Sequence, residues 1–309
     1  MTRHFLADDD LSSDEQLEVL GLAQTMKADR HKFTPFAGPK SVAVIFDKPS
    51  TRTRVSFAVG IAELGGYPLV LDAGTSQLGR GETIEDTTRV LDRQVEAIVW
   101  RTFGQERVEA MASVSAVPVV NALTDQFHPC QILADLLTIK ERFGTVRGRT
   151  LTYLGDAANN MAHSYLVGGA VAGMHVRVGG PKNALPDEKI VERARKIAEH
   201  TGSTITITDD PEAAAKDADV LATDTWVSMG QETASSAERL ATLAPYRIDQ
   251  KAVETAKDTA IVLHCLPAYR GNEISADVLD GPRSVVWDQA ENRLHAQKAL
   301  LTWLVEQRR

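Results

Sequence analysis

The sequence has few cysteines, few aromatic residues and no excess of positive charge. Two cysteines in 309 residues are too few for a disulfide framework. No apolar run reaches the length of a membrane span, and the opening stretch MTRHFLADDDLSSDEQ lacks the apolar segment of a secretory signal. The formal net charge of −8 argues against broad binding to nucleic acid or to anionic membranes. We therefore expect a globular protein of the cytoplasm.

The chain does contain a regular alternation of short β-branched runs with segments of helical period, which predicts parallel sheets covered by helices. A length of 309 residues favours two domains over one. The expected fold class is therefore α/β, with two Rossmann-like domains, each a parallel sheet flanked by helices, and an active site in the cleft between them. The runs predicted as strands are SVAVIF, YPLVLD, EAIVWR and VPVVNAL, followed by LTYLG, HVRVGG, STITIT, ADVLATD, AIVLHCLP and SVVWD.

The stretch GTVRGRT at 144–150, rich in glycine and arginine, is the predicted joint between the domains. We place the first domain at 1–146 and the second at 147–290. The last segment, ENRLHAQKALLTWLVEQ, has leucines at helical spacing, so 291–309 is predicted as a helix that packs back on the first domain. The polar stretch SMGQETASSAERLATLAPY, residues 228–246, is expected to be a mobile loop.

Polar and cationic side chains follow the first predicted strand, in the turn PSTRT that opens an apparent helix. Ligands of open parallel sheets sit beyond the carboxyl ends of the strands, which is where this turn lies. The first amides of a helix lack partners within it and the helix dipole is positive there, so an anion is favoured. Arg52 adds a planar fork of donors that suits phosphate. The alternative is a Ser/Thr helix cap with solvent-facing arginines.

Two further segments carry residues that could bind a polar substrate. Arg101 ends an apolar strand run, where burying a charge for a purely structural role would be costly. His128 precedes Pro129, which suits the first turn of a helix, and lies one turn before Gln131. For an isolated residue, a histidine that caps a turn is the alternative.

The motifs STRTR, HPCQ, GDAANNMAHS, DTWVSMG and HCLPAYRGNEI together resemble the aspartate/ornithine carbamoyltransferase family in order and spacing. SMG and HCLP resemble its ornithine branch. The resemblance implies an enzyme, a one-carbon group transferase that moves the carbamoyl group of carbamoyl phosphate to the δ-amine of L-ornithine, giving L-citrulline and phosphate. It implies no cofactor and no metal. A role in arginine biosynthesis is expected, and a role in arginine breakdown stays open.

The resemblance also assigns roles to single residues. Thr53, Arg101 and His128 would polarise the carbonyl oxygen, while Gln131 and the backbone carbonyl of Leu266 would take the carbamoyl nitrogen. The residues implied for carbamoyl phosphate are Ser50, Thr51, Arg52, Thr53, Gln77, Arg101, His128, Gln131, Cys265, Leu266 and Arg293. Those implied for ornithine are Asn160, Asp224, Ser228 and Met229. Those implied for catalysis are Arg52, Arg101, His128, Asp224 and Cys265.

The first domain would then bind carbamoyl phosphate and the second ornithine. Gln77 resembles the residue that reaches into a neighbouring subunit's site, which implies a homotrimer with shared sites. Read alone, Gln77 lies in a polar turn, Arg293 is an exposed arginine at a helix end, Asp224 is a helix cap and Cys265 is a small buried residue.

The charge of the residues implied for the second substrate indicates which amine accepts the carbamoyl group. Asp224 and Cys265 suit a cationic tail, whereas an aspartate acceptor would need cationic partners. N-acetylornithine and lysine stay open as acceptors, and putrescine is less favoured because it lacks the α-carboxylate. The group that takes the δ-ammonium proton also stays open among Asp224, Cys265 and the departing phosphate.

Three rival functions are weighed against this one. A dinucleotide-binding oxidoreductase is disfavoured because YLGDAANNMAHS lacks the G-x-G-x-x-G pattern. A zinc site built from His128, Cys130, His264 and Cys265 is disfavoured because neighbours in a strand, such as His264 and Cys265, point to opposite faces. A non-catalytic regulatory protein that binds carbamoyl phosphate is disfavoured because every matched position keeps a competent residue.

Overall fold

The computed structural model describes residues 2–72, 74, 77–227 and 236–307. The chain divides into two compact units, one made of Met1–Leu137 with Glu291–Arg309 and the other of Thr138–Ala290. This division falls upstream of residue 146, so the predicted boundary there stays a prediction. Among the described residues, no helix combines the length and the apolarity that crossing a bilayer requires.

The first unit is built on a parallel sheet of four strands in the order β2-β1-β3-β4. All four were predicted from the sequence, and they span Ser41–Phe46 (β1), Tyr67–Asp72 (β2), Ala97–Arg101 (β3) and Val119–Leu123 (β4). Helices cover the sheet, so β1, β3 and β4 are almost wholly buried. The helices that begin in this unit are Ser13–Ala28 (α1), Thr51–Glu63 (α2), Ile84–Leu91 (α3), Gln105–Val114 (α4) and Pro129–Phe143 (α5).

The second unit is built on a parallel sheet of five strands in the order β7-β6-β5-β8-β9. The strands span Thr150–Leu154 (β5), His175–Gly179 (β6), Ile205–Thr208 (β7), Val220–Thr223 (β8) and Ile261–His264 (β9). The helices that begin in this unit are Asn160–Val171 (α6), Glu188–Thr201 (α7), Pro211–Ala215 (α8), Ser236–Leu243 (α9), Gln250–Thr255 (α10), Ala276–Leu279 (α11) and Val286–Glu306 (α12), and α12 continues into the first unit from Glu291. The expected fold class, two parallel sheets flanked by helices, is confirmed.

One predicted strand, SVVWD at 284–288, is wrong. Ser284 forms a single bridge with Val262, and helix α12 begins two residues later. The burial pattern gives the reason: Val286 and Gln289 are buried whereas Trp287, between them, is 63% exposed. A spacing of three between buried positions is helical, whereas a strand buries every second residue.

The predicted mobile loop at 228–246 is also partly wrong. Its second part forms helix α9 and a short 3-10 turn, Ala244–Tyr246. Leu243 is buried, and the buried side chain of Tyr246 packs into the core of the second unit, which a free loop would not do. Residues 228–235 lie outside the described residues.

Candidate active site

The turn PSTRT opens helix α2 as predicted, and Ser50 is its N-cap. The Ser50 hydroxyl accepts a hydrogen bond from the backbone N–H of Thr53 at 3.3 Å. Thr51 is exposed and Arg52 is half-buried, so both lie where a ligand could reach the positive end of the helix.

The two arginines of STRTR have different surroundings. Arg54 pairs with Asp72, and its guanidinium lies 4.6 Å from the centre of the Phe46 ring. Among the described residues, none forms an ion pair with Arg52. Arg54 is therefore engaged by neighbouring side chains, whereas Arg52 has no such ion pair in the part of the chain that the structure describes.

Arg293, from helix α12, joins two other residues of the predicted site. Its Nη1 donates to Gln131 Oε1 at 2.7 Å and its Nη2 donates to Thr53 Oγ1 at 3.0 Å. All three residues are buried, so Arg293 is not the exposed helix-end arginine that it could have been from the sequence alone. Three distant segments of the chain thus meet within the first unit.

Arg101 and His128 lie at the carboxyl end of the same sheet. Arg101 is the last residue of β3 and is half-buried, and His128 is buried directly before α5. Burial lowers the pKa of His128 well below its usual value of 6.5, and the nearby positive charges of Arg293 and Arg101 lower it further. The imidazole is therefore neutral at physiological pH, with one N–H to donate.

Sequence reasoning missed the residues that hold the end of β3. The Thr102 hydroxyl donates to the Asp47 carboxylate, and Arg107 donates from Nε to Thr102 Oγ1 at 2.8 Å. The backbone N–H of Asp47 also donates to the carbonyl of Arg101 at 2.9 Å. These bonds link the exits of β1 and β3, and so set where the Arg101 side chain begins. The one signal in the sequence was the polar Asp47 directly after an apolar strand.

In the second unit, Asp224 and Cys265 follow neighbouring strands and meet. Thr223, the last residue of β8, pairs with His264, the last residue of β9. The Cys265 thiol donates to Asp224 Oδ1 at 3.0 Å, and the same oxygen accepts the N–H of Thr225 at 2.7 Å. No helix starts at Asp224, so Asp224 is not the helix cap that was the alternative from the sequence. Cys265 is half-buried, as Asp224 is, so it is not the small buried residue that was the alternative for it.

Asn159 and Asn160 open helix α6 directly after the turn that follows β5. Asn159 is the N-cap, since its Oδ1 accepts from Ala162 N at 2.9 Å, and its Nδ2 donates to the Tyr153 hydroxyl at 2.8 Å. Burial raises the pKa of Tyr153 well above its usual value, and the charges of Asp224 and Asp156 act in the same direction. Asn159 is thus structural, and the half-buried Asn160 is the residue presented at this strand exit.

The HCLP segment holds a backbone conformation that is rare for leucine. Leu266 has φ 59°, in the left-handed region, and precedes a cis peptide bond to Pro267. Its N–H donates to His264 Nδ1 at 2.9 Å, and His264 Nε2 pairs with Glu273 Oε1 at 3.1 Å. His264 and Glu273 are buried. The sequence suggested His264 only as a possible zinc ligand and did not single out Glu273, because nothing in the motif shows that they hold the Leu266 backbone.

The sequence predicted that His264 and Cys265 point to opposite faces of a strand, and this prediction is wrong. Asp224, His264 and Cys265 offer ligand atoms that all lie within 4.8 Å of one another, since β9 ends at His264 and the alternation of side chains ends with it. Both ring nitrogens of His264 are already hydrogen-bonded, however, so neither has a lone pair for a metal. In the first unit, burial raises the pKa of Cys130 to about 12, which disfavours the thiolate that zinc requires.

The remaining predicted site residues are Gln77, Ser228 and Met229. Gln77 begins a 3-10 turn, Gln77–Arg80, and is exposed. Ser228 and Met229 fall outside the described residues.

Comparison with known proteins identifies the family. Residues 3–141 match the model for "Aspartate/ornithine carbamoyltransferase, carbamoyl-P binding domain". Residues 147–304 match the model for "Aspartate/ornithine carbamoyltransferase, Asp/Orn binding domain". The chain belongs to the aspartate/ornithine carbamoyltransferase family. The carbamoyl-P binding domain of the family thus covers Arg52, Arg101 and His128, and the Asp/Orn binding domain covers Asn160, Asp224 and Cys265.

Individual members of the aspartate/ornithine carbamoyltransferase family are similar to the chain over nearly its whole length. The ornithine carbamoyltransferase of Renibacterium salmoninarum is 61% identical over 310 residues, covering 99% of both chains. That of Mycolicibacterium paratuberculosis is 59% identical and covers 98% of both. Among solved structures, the ornithine carbamoyltransferase from Pyrococcus furiosus has a TM-score of 0.92 at 47% identity, covering 97% of this chain and 96% of that one. The similarity therefore extends over both units.

Proposed function

We propose that the protein is a carbamoyltransferase that converts carbamoyl phosphate and L-ornithine to L-citrulline and phosphate. The observation that carries the choice of acceptor is the pair formed by Asp224 and Cys265, whose thiol donates to Asp224 Oδ1 at 3.0 Å. A carboxylate beside a neutral thiol suits an alkyl ammonium and would repel the side chain of aspartate. The relatives at about 60% identity are named for ornithine, which supports the same choice.

Carbamoyl phosphate is bound by the first unit in this proposal. Its phosphate lies at the start of α2, on the amides and hydroxyls of Ser50, Thr51 and Thr53 and on the guanidinium of Arg52. Arg101, neutral His128 and the Thr53 hydroxyl donate to the carbonyl oxygen, on which negative charge builds as the amine attacks. Each such donor is worth about 3 kcal/mol of transition-state stabilisation.

The carbamoyl nitrogen needs acceptors, because an NH2 group presents two donors. The side-chain oxygen of Gln131 and the backbone carbonyl of Leu266 are the acceptors we propose. Arg293, held on Gln131 and Thr53, adds a positive charge beside the donor.

Ornithine is bound by the second unit. Asn160, with Ser228 and Met229, takes the α-amino and α-carboxylate groups, and Asp224 and Cys265 hold the δ-ammonium. That ammonium gives up a proton to Asp224, to Cys265 or to the departing phosphate. The neutral nitrogen then forms a bond to the carbonyl carbon, and the bond from that carbon to the phosphate oxygen breaks as phosphate leaves. The second proton that the attacking nitrogen must lose is carried away by the departing phosphate. This is the synthetic direction, and arginine biosynthesis in the cytoplasm is the role proposed with it.

We also propose a homotrimer. Helix α2 turns an apolar face outward, where Val55 is 54% and Val59 is 39% exposed, one helical turn apart. Tyr67, 56% exposed, begins the edge strand β2 against which α2 packs. Such a face suits a second copy of the chain, and the exposed Gln77 would then reach the neighbouring copy's site. Light scattering at several concentrations should give three times the chain mass, and a monomer would refute the assembly.

The assay that tests the function follows citrulline formation from carbamoyl phosphate and L-ornithine, with aspartate, putrescine, lysine and N-acetylornithine offered separately as acceptors. Ornithine should be carbamoylated far faster than the rest. If one of the others is the preferred acceptor, the ornithine assignment fails while the donor site stands. A protein that binds the donor but carbamoylates nothing would be the regulatory alternative.

Two matched variants test the phosphate site. Arg52→Ala should lower kcat/KM for carbamoyl phosphate by about a hundredfold or more, because a charged transition-state contact is lost. Arg54→Ala, two residues along the same helix, should leave the KM for carbamoyl phosphate near the unmutated value, because Arg54 is committed to Asp72. Equal effects of the two changes would refute a specific role for Arg52.

A further inference from the structure

A chain of buried hydrogen bonds in the first unit extends the contacts of Arg293 to a residue outside the proposed site. Gln131 Nε2 donates to Asp135 Oδ1 at 2.8 Å, while Gln131 Oε1 accepts from Arg293 Nη1 at 2.7 Å. Asp135 follows Gln131 by one turn of α5, so the helix itself brings the two side chains together. Asp135, Gln131 and Arg293 are 0%, 1% and 4% exposed.

The orientation of the Gln131 amide follows from chemistry as well as from these distances. A guanidinium only donates hydrogen bonds, so the Gln131 atom that faces Arg293 must be the oxygen. The nitrogen then faces Asp135, whose carboxylate oxygen accepts. Exchanging the two atoms would set donor against donor at Arg293 and acceptor against acceptor at Asp135.

Arg293 is itself held from a second side. When the Gln297 amide is oriented so that its nitrogen donates to Ser56 Oγ at 2.7 Å, its oxygen accepts from Nη2 and Nε of Arg293, each at 3.2 Å. Arg293 also donates to Thr53. The guanidinium is therefore fixed independently of Gln131, and Asp135 is the contact that holds the other end of the Gln131 amide.

We infer that Asp135 is a positioning residue that fixes Gln131 as a hydrogen-bond acceptor, so that the donor site selects NH2 over a methyl group beside the carbonyl. The inference rests on the proposed function. The Gln131 oxygen has two lone pairs and Arg293 uses one, which leaves the other for the carbamoyl NH2. A site built to pair with an NH group rejects an analogue without one, because its own polar atom is left unpaired.

The test compares two stable probes that differ only in this group. Phosphonoacetamide carries NH2 and acetonylphosphonate carries CH3, each beside a carbonyl and a phosphonate. Their dissociation constants are measured by calorimetry, which does not depend on turnover. Asp135→Ala should weaken phosphonoacetamide binding about tenfold or more, since Gln131 Nε2 loses its buried acceptor, and should change acetonylphosphonate binding less than about threefold. Asp135→Asn should keep the selectivity, because the amide oxygen of asparagine can still accept.

A double variant separates positioning from a merely structural role. If Asp135 acts through Gln131, then adding Asp135→Ala to Gln131→Met should change the selectivity no further. Cys130→Ala, a buried change in the same helix, should lower stability without altering the selectivity. Equal weakening of both probes by Asp135→Ala, loss of selectivity in Asp135→Asn, or additive effects in the double variant would each overturn the inference.

The outcomes also distinguish this inference from the proposed function. If the unmutated protein binds neither probe, the donor site itself is wrong. If it binds phosphonoacetamide selectively and Asp135→Ala keeps that selectivity, only the role of Asp135 fails. If Asp135→Ala does not fold, Gln131→Met and Asp135→Asn still test the inference. A selectivity for NH2 that survives Gln131→Met would show that Gln131 is not the acceptor, and a selectivity lost in Asp135→Asn would refute the role of Asp135.

Discussion

The two cysteines differ in burial, which controls the access of a reagent to a thiol. Cys130 is buried, donates to the carbonyl of Asn121 at 3.3 Å, and has a pKa raised by burial to about 12. Cys265 is half-buried and lies at the proposed ornithine site. We therefore expect a disulfide reagent at about pH 8 to modify one thiol per native chain, and the second only after unfolding.

The assignment is checked by variants and by substrate. Cys265→Ala should remove the native reaction and leave the thiol that appears on unfolding. Saturating ornithine with phosphonoacetamide should slow the labelling of Cys265. Rapid modification of two thiols in the folded protein would contradict the burial of Cys130.

At the scale of single residues, the sequence predicted the candidate binding residues but not the residues that hold them in place. Arg52, Arg101 and His128 stand out because a charge or an imidazole follows an apolar strand. Asp135 and Gln297 could not be found in the same way, since an acidic or amide residue in a helix ordinarily faces solvent. Only the meeting of α2, α5 and α12 around Arg293 shows that both are buried and bonded.

Helices α2 and α12 are tied together by a buried ionic contact. Lys298 of α12 donates to Glu63 Oε2, at the end of α2, at 2.7 Å and to the carbonyl of Arg30 at 2.5 Å. Burial alone would raise the pKa of Glu63, but hydrogen bonds from Arg30 and Lys298 bring it below its usual value. Because Lys298 is fully buried, its ammonium depends on these partners.

Lys298→Met should therefore lower the free energy of unfolding by about 2 kcal/mol, since charged hydrogen bonds are lost and the partly buried Glu63 keeps only Arg30 as its cation. The measurement is urea unfolding followed by circular dichroism. Lys251→Met is the matched control, because the pair of Lys251 with Glu212 is exposed on both sides and should contribute nothing measurable. An equal loss in the two variants would show that the contact of Lys298 is no stronger than a surface pair.

Elements were predictable where one periodicity dominated. The buried parallel strands appear as continuous apolar runs, which is why nine of the ten predicted strands are present. SVVWD failed because a short apolar run has no period of its own, and the helix-forming residues after it extend α12 back to Val286. The prediction of a loop at α9 was wrong because serines and alanines suit a loop as well as a surface helix.

At the scale of the whole molecule, the alternation of strands and helices was enough to predict two parallel sheets, and the motifs were enough to predict the family. The strand order could not be predicted, because register and neighbours depend on contacts between distant runs. No break in the sequence pattern marks the division at residue 137, since helix α5 runs through it.

The stability of the whole molecule should depend on pH through two buried histidines and the half-buried His4. Burial lowers the pKa of His4, His128 and His295 below 6.5. For His4 the structure adds a second reason, since its Nδ1 accepts the N–H of Val119 at 3.1 Å and must be unprotonated to do so. Below the usual pKa the unfolded chain binds protons at these residues that the folded chain does not, so acid favours unfolding.

We therefore expect the free energy of unfolding to be constant from about pH 8 to pH 7 and to fall as pH drops below about 6.5, before most carboxylates titrate. The direction follows from the lowered pKa values of these histidines. Their contribution to stability is fully present at pH values above the histidine pKa of the unfolded chain. It is lost as the pH falls towards the lower histidine pKa of the folded protein. His128→Gln should make the dependence on pH shallower, whereas His200→Gln, at an exposed residue, should leave it unchanged. Urea unfolding at each pH measures this, and stability that rises on acidification would show that these histidines are protonated in the folded protein.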